Sequence, residues 1–159
     1  MLIQAAAGGV GIFAVQLAKL KGAYVVAIGS EKNLSFLKEL GADEVYNYHN
    51  GYTALSNDFD AVLDSMETAV HLIPHLKKGG RYLSITEPAS QELAHQYEIT
   101  AFNFLYHPDT AQLTQVKELI EENRLKVFID KVLPLANASQ MLKYQMEGHS
   151  KEKNILLVS

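Results

Sequence analysis

The sequence predicts an α/β fold, a doubly wound parallel sheet of about six strands with helices on both faces. Three observations predict it. Short apolar runs alternate with runs of helical periodicity through the first two-thirds of the chain. The stretch "LIQAAAGGVGIFAVQLAK", residues 2–19, carries an apolar run through Gly8, Gly9 and Gly11 straight into a helix pattern. The length of 159 residues, with 48 % apolar and 20 % charged side chains, suits one soluble domain with its own core. Strands separated by helical segments need crossover connections, which make the sheet parallel and cover both faces. Right-handed crossovers leave few topologies, with the doubly wound order foremost.

Leu2–Ala6 reads as the first strand. A helix over 9–21 follows, with Val10, Phe13, Ala14 and Leu17 on one face. Tyr24–Ile28 is the second strand. A helix over 31–40 turns Leu34, Leu37 and Leu40 inward and stops at Gly41. Glu44–Tyr48 is the third strand and Phe59–Asp64 the fourth. A helix through Ala69, Ile73 and Leu76 then ends at "KKGG". Arg81–Ile85 is the fifth strand and Glu98–Tyr106 the sixth. The last third predicts a helix over 109–123, a strand at Val127–Leu133 and a helix over 138–147 with Asn137 as N-cap and Gln140 three residues on. A strand at Asn154–Val158 closes the chain.

The glycines carry the chemistry. A dinucleotide's pyrophosphate must come close to backbone N–H groups, and side chains at the strand-to-helix turn would block it. The helix N-terminus beyond offers unpaired donors and the positive end of a dipole. In the G-x-G-x-x-G fingerprint of the Rossmann fold, Ala6 takes the first place, Gly8 the second and Gly11 the third. Gly8 would admit the pyrophosphate, and Gly11 would let the helix pack on the strand. After the second strand, where an NAD-preferring fold usually carries an acid for the ribose, the sequence reads Gly29, Ser30, Glu31, Lys32. A hydroxyl and a cation suit a 2′-phosphate, which favours NADP(H) over NAD(H). Two other readings stay open: Glu31 on the ribose of NAD, and Ser30 as a helix cap beside a solvated Lys32.

These residues resemble a known family. "AAAGGVGIFAVQLAKLKGAYVVAIGSEKN" and "FLKELGADEVYNY" are similar to the cofactor domain of the medium-chain dehydrogenase/reductase superfamily, in its zinc-independent quinone oxidoreductase branch. The resemblance continues through "FDAVLDSM", "LKKGGRYLSI" and "LIEENRLKVFIDKVLPLANASQMLKYQMEG" to the final strand. It implies that Ser30, Lys32 and Tyr48 grip the adenosine 2′-phosphate, that Gly8, Gly9, Val10 and Gly11 form the pyrophosphate turn, and that backbone around Phe102–Phe104 approaches the nicotinamide. It implies hydride transfer between NADP(H) and a quinone or enone-type carbonyl compound, without zinc. It also implies a homodimer through the sixth-strand edge, residues 98–106, an apolar edge of the kind that pairs with a second chain.

The sequence departs from the family in three places. No GroES-like catalytic domain precedes Leu2, so the expectation is a single domain over 1–159, a truncated product or excised domain, with 127–159 built to pack toward that missing partner. Ser65, Met66 and Glu67 replace the usual glycines after "VLD". Lys153 and Asn154 replace the usual Gly-Lys before the last strand.

Other candidates weigh less. Asp64, at a strand's carboxyl end, is placed either for cofactor contact or for capping the next helix. His71 and His75 have a metal-pair spacing, but Pro74 lies between them and no third ligand accompanies them, so they read as surface histidines. His49, His95, His107 and His149 show no triad spacing. No acid, base or nucleophile stands out, which fits a family whose cofactor carries the chemistry. Two rival readings remain: a non-catalytic remnant that only folds and dimerises, and another nucleotide-binding protein such as a methyltransferase. Gly29 speaks against the latter, in place of the acid it would want. A net charge of −4 with no basic cluster points away from nucleic acid and membrane surfaces. No run nears the length of a membrane span. The absence of cysteine fits a reducing compartment, and the cytoplasm is expected.

Overall fold

The structure, a computed structural model, describes residues 1–88, 90–147 and 153–158. Six parallel strands form the main sheet: β1 (Leu2–Ile3), β2 (Val26–Gly29), β3 (Glu44–Asn47), β4 (Phe59–Asp64), β5 (Leu76–Ser84) and β6 (Thr100–Asn103). Their order is β3-β2-β1-β4-β5-β6, the doubly wound order whose reversal point lies between β1 and β4. In β1, Leu2 sits between Val26 and Val62, and Ile3 between Ala27 and Leu63. Alternation along the strands splits the core in two. Leu2, Val26, Ile28, Val62 and Tyr82 pack on one face with Leu55, Leu72 and Ile73. Ile3, Ala27 and Leu63 pack on the other with Ile12, Val15 and Leu37.

The helices are α1 (Gly11–Leu20), α2 (Leu34–Glu39), α3 (Ala69–Leu72), α4 (Gln91–Gln96), α5 (Thr110–Glu121) and α6 (Ala138–Met146). Asp109 caps α5 by accepting from the Gln112 N–H at 3.0 Å. A second, two-stranded parallel sheet pairs β7 (Ile129–Pro134) with β8 (Lys153–Leu157), and α6 lies between them in the chain.

Several boundaries differ from the sequence reading, each for a local reason. The first strand stops at Ile3 rather than Ala6, because Ala5 adopts a φ of 49° and turns the chain. The second starts at Val26 rather than Tyr24, whose ring stands 58 % exposed with its hydroxyl donating to Glu44. The helix expected over 31–40 is a 3-10 turn at Glu31–Asn33 followed by α2. The helix expected to run through Leu76 ends at Leu72. Pro74, without an N–H, sits in a 3-10 turn at Ile73–His75, and Leu76 already pairs with Phe59 in the sheet. The sixth strand is Thr100–Asn103 rather than 98–106, with Glu98 at a φ of 51° just before it. Asn137 holds the N-cap position of α6, but its side chain takes no backbone N–H and donates instead to Gln140 Oε1.

The segment leading into β7 is fastened to the main domain. Buried Gln16 of α1 accepts from the Lys126 N–H at 2.8 Å and donates to the Lys126 carbonyl at 3.1 Å, and Phe36 meets Phe128 edge to face at 5.1 Å. The far side of the small sheet stays open, with Ile129, Val132 and Leu157 about half exposed.

One polar junction ties α1, β2 and the turn after α2 together. Lys19 Nζ donates to both carboxylate oxygens of Asp43, at 2.8 and 2.7 Å, while the Val25 N–H donates to Oδ2 at 2.7 Å. The hydrogen bond from Lys19, then that from Val25, holds the Asp43 carboxyl below its ordinary value of 3.8. A lowered folded-state pKa gives stability that is present above about pH 4 and lost as pH falls through the folded value. Asp43→Asn is therefore expected to lower the urea midpoint at pH 7 and to match the wild type more nearly at pH 3. An equal deficit at both pH values would contradict this.

Candidate functional site

The turn between β1 and α1 builds one half of the site. The Gly8 N–H donates to the Ala5 carbonyl at 2.9 Å, and the Gly8 and Val10 carbonyls accept the first helical bonds, from Ile12 and Ala14. The N–H groups of Gly9, Val10 and Gly11 reach no backbone carbonyl among the described residues. No side chain caps this end of the helix. Free donors at the positive end of α1 make an anion-binding surface.

Gly11 is required by packing. A Cβ there would stand 2.5 Å from the Ala5 carbonyl oxygen and from Ala6 Cα and O, with no flexible atom to yield. At Gly8 a Cβ would come within 3.2 Å of the same Ala5 oxygen. Ala6 is fully buried in the core, and the left-handed residue is Ala5, so the first fingerprint place tolerates a methyl group. At Gly9 the crowding is different. Lys153 Nζ, from β8, donates to the Gly9 carbonyl at 3.0 Å and would lie 2.9 Å from a Gly9 Cβ. The sequence marks Lys153 only as a departure from a family pattern. The fold delivers its ammonium to the glycine turn across 144 residues of chain.

The other half is a cleft of about 570 Å³ at the carboxyl ends of β1 to β4. It brings together four of the residues singled out in the sequence: Gly8, Ser30, Lys32 and Tyr48. Ser30 precedes its 3-10 turn but makes no side-chain capping bond, so its hydroxyl is not spent on the helix. Lys32 is exposed and forms no ion pair among the described residues. Glu31 does not line the cleft and accepts from Asn47 Nδ2 at 2.7 Å. Tyr48 stands 41 % exposed at the rim.

Other sequence candidates lie elsewhere. Val10 is half exposed at the helix start, and Phe102 and Phe104 are about half exposed at β6 and just beyond, on the far edge of the sheet. None of the three lines the cleft. Asp64 does not line it either, and α3, whose N-cap position is Thr68, takes no side-chain capping bond, so Asp64 holds the loop before that helix and not its N-terminus. It is fully buried, with Oδ1 accepting from the Met66 N–H at 2.8 Å and Oδ2 from the Thr68 N–H at 2.6 Å and the Tyr82 hydroxyl at 2.5 Å. Burial first, and then the Asp64 carboxylate, push the Tyr82 hydroxyl far above its ordinary value, which keeps it a donor. Asp64 thus shapes the loop that carries Met66 and Thr68 to the cleft.

His75 corrects the sequence reading. It is buried, with Nδ1 at 2.7 Å from Asn57 Oδ1 and 3.1 Å from the Ser56 carbonyl. His71 stays exposed and stacks on Tyr52 at 5.4 Å. His149 lies outside the described residues. Among those described, no three His, Asp or Glu side chains are grouped to hold a metal, and the chain has no cysteine.

Among the cleft residues the sequence reading missed are Gln4, Asn33, Tyr52 and Thr68. Gln4 Oε1, Asn33 Oδ1 and Thr68 Oγ1 are buried atoms without a hydrogen-bond partner, and all three residues line the cleft. Buried polar atoms are normally satisfied, so three orphans among the residues of one hollow fit a polar ligand there. With the glycine cradle beside them, they fit a dinucleotide. A lone glutamine inside an apolar run was the available signal.

A family model described as zinc-binding dehydrogenase matches residues 40–156. A chloroplast envelope quinone oxidoreductase homolog from Arabidopsis thaliana is 30 % identical over 98 % of this chain and 51 % of its own. The mitochondrial NAD(P)H oxidoreductase RTN4IP1 of Bos taurus is 26 % identical over 99 % of this chain and 48 % of its own. Among solved structures, the quinone oxidoreductase from Coxiella burnetii superposes with a TM-score of 0.91 at 33 % identity, over 99 % of this chain and 52 % of that one. A thermostable alcohol dehydrogenase from Pyrobaculum aerophilum gives 0.84 at 29 % identity, over 99 % and 49 %. The chain spans about half the length of the curated relatives it matches. With this fold, this turn and a family match over most of its length, the chain belongs to the zinc-binding dehydrogenase family, within the medium-chain dehydrogenase/reductase superfamily, and carries that superfamily's nicotinamide-cofactor-binding fold.

Proposed function

We propose that this chain is the NADP(H)-binding half of a quinone-oxidoreductase-like enzyme that exchanges a hydride with a quinone or enone-type carbonyl compound. The observation that carries this reading is the meeting of two features: unpaired amides at the α1 N-terminus, and a cleft holding Ser30, Lys32 and three orphaned polar atoms. The nicotinamide, when bound, supplies the hydride chemistry. The residues of this chain bind and orient. Amides of residues 9–11, with the Lys153 ammonium at the Gly9 carbonyl, face the pyrophosphate. Ser30 and Lys32 face the 2′-phosphate, where Ser30 donates and Lys32 neutralises. The bond from Asn47 draws Glu31 away from the ribose and favours the phosphorylated cofactor.

Assembly follows from the sheet edge. Among the described residues β6 has no neighbour on its outer side, and Phe102, Phe104, Leu105 and Tyr106, 47 to 80 % exposed, stand along and just beyond it. This supports a homodimer through the 98–106 segment. No helix among the described residues is long and apolar enough to cross a membrane. Two of the relatives named above carry chloroplast and mitochondrial names; the cysteine-free sequence fits a reducing compartment, and the cytoplasm is the compartment proposed for this chain.

Three measurements test the reading. Calorimetric titration is expected to show NADPH binding at least about tenfold tighter than NADH, and Lys32→Ala to erase most of that margin while leaving NADH within about twofold. Binding of neither cofactor by a folded sample would remove the proposal and leave the remnant that only folds and dimerises. Gly11→Ala is expected to cost about 3 kcal/mol of stability in denaturant unfolding, since backbone must move to admit the methyl; a cost under about 0.5 kcal/mol would contradict the packing. Sedimentation at micromolar concentration is expected to give a dimer, and Phe102→Asp to give monomer; a monomeric wild type would remove the edge assignment.

A further inference from the structure

We infer that His71 and His75 form a two-imidazole site for a divalent transition-metal cation of the nickel or copper class. The site lies outside the cofactor cleft, in a second hollow, and stands or falls independently of the dinucleotide reading.

This hollow, of about 560 Å³, is lined by Tyr52, Asn57, Val70, His71, Pro74 and His75 among others. No lysine or arginine lines it, so no cationic side chain opposes a metal ion there. His75 is the anchor. Only 8 % of it is exposed, and its Nδ1 lies 3.1 Å from the Ser56 carbonyl and 2.7 Å from Asn57 Oδ1. A main-chain carbonyl only accepts, so Nδ1 carries the proton and the neutral ring has its lone pair on Nε2. Nε2 has no hydrogen-bond partner among the described residues, and it is not one of the sealed, unpartnered side-chain atoms, so it opens to the hollow that His75 lines. One ring N–H fixed on a carbonyl, with the other nitrogen left open, is how a protein presents histidine to a metal.

His71 supplies the second imidazole. It stands four residues before His75, and the chain between them stays helical, since α3 ends at Leu72 and the 3-10 turn runs on through His75. Pro74 interrupts nothing, because it sits near the start of that turn, where a missing N–H is tolerated. Leu72 and Ile73 are fully buried, while both histidines line one hollow. The exposed His71 ring stacks on Tyr52, with centroids 5.4 Å apart and planes 15° apart. The stack occupies a ring face and leaves the two nitrogens, at the ring edge, without a hydrogen bond among the described residues. Two imidazoles with no carboxylate in the hollow suit nickel or copper, whereas magnesium and calcium want oxygen. Water fills the remaining positions, so the cation exchanges.

The experiment titrates the untagged chain with nickel(II) chloride by calorimetry, beside His71→Ala and His75→Gln. The wild type is expected to bind a single Ni²⁺ at least about tenfold tighter than either variant, and the two variants to agree within about threefold, since each keeps one imidazole. In NMR spectra of the wild type, substoichiometric Ni²⁺ is expected to broaden the ring signals of His71, His75 and Tyr52 before those of His49, His95 and His107. No binding by the wild type, or a variant that binds as tightly as the wild type, would overturn the inference. So would broadening at His71 that leaves His75 sharp, the mark of a lone exposed histidine. If His75→Gln does not fold, as judged by circular dichroism, His71→Ala and the broadening pattern decide.

Discussion

The close approach of the α1 backbone to the end of β1 is the constraint on which the site depends. With no Cβ at Gly11, the helix starts in contact with the Ala5 and Ala6 backbone. That contact, together with the left-handed Ala5, aims the first helical N–H groups along the carboxyl edge of the sheet. A helix displaced by one methyl group would carry its donors and its dipole away from the crevice where the sheet order reverses. Anion binding, cleft shape and the position of Lys153 all refer back to this junction.

Around it, the cleft is assembled from pieces that packing alone holds in place. Four strand ends contribute to it, and the core on either face of the sheet sets their relative height. Asp64 turns the chain after β4 by accepting from two backbone N–H groups and a tyrosine, a fully bonded buried carboxylate that shapes the site without facing a ligand. By contrast, Gln4 Oε1, Asn33 Oδ1 and Thr68 Oγ1, oxygens of residues that line the cleft, have no hydrogen-bond partner among the described residues. This division between satisfied and unsatisfied polar groups separates architecture from recognition within one small region. The C-terminal segment joins in from a distance: Gln16 grips the backbone at Lys126, and β8 brings Lys153 over the turn.

Much of this was legible in the sequence. Periodicity located the six main strands and most of the helices, because alternation and helical spacing are written locally. The glycine turn was legible because the close approach it permits has no other residue solution. Boundaries were less so. Leu76 fits a helical pattern after Ala69 and Ile73, yet pairing with Phe59 claimed it for β5, and Pro74 had already loosened the helix. At Ala5 the sequence shows an ordinary alanine, and only the three-dimensional turn imposes the positive φ. His75 looked like a surface residue because nothing local reveals that Ser56 and Asn57 fold over it. Lys153 could not be placed at the turn for the same reason, since it lies 144 residues from Gly9.

The central claim is that the main-chain amides of the glycine turn hold the dinucleotide's pyrophosphate. Amide chemical-shift mapping during addition of NADPH tests it most directly. The account predicts the largest shifts at Gly8 through Ile12, with smaller ones at Ser30 and Lys32, saturating together. Saturable shifts elsewhere that leave the amides of residues 8–12 in place would contradict it.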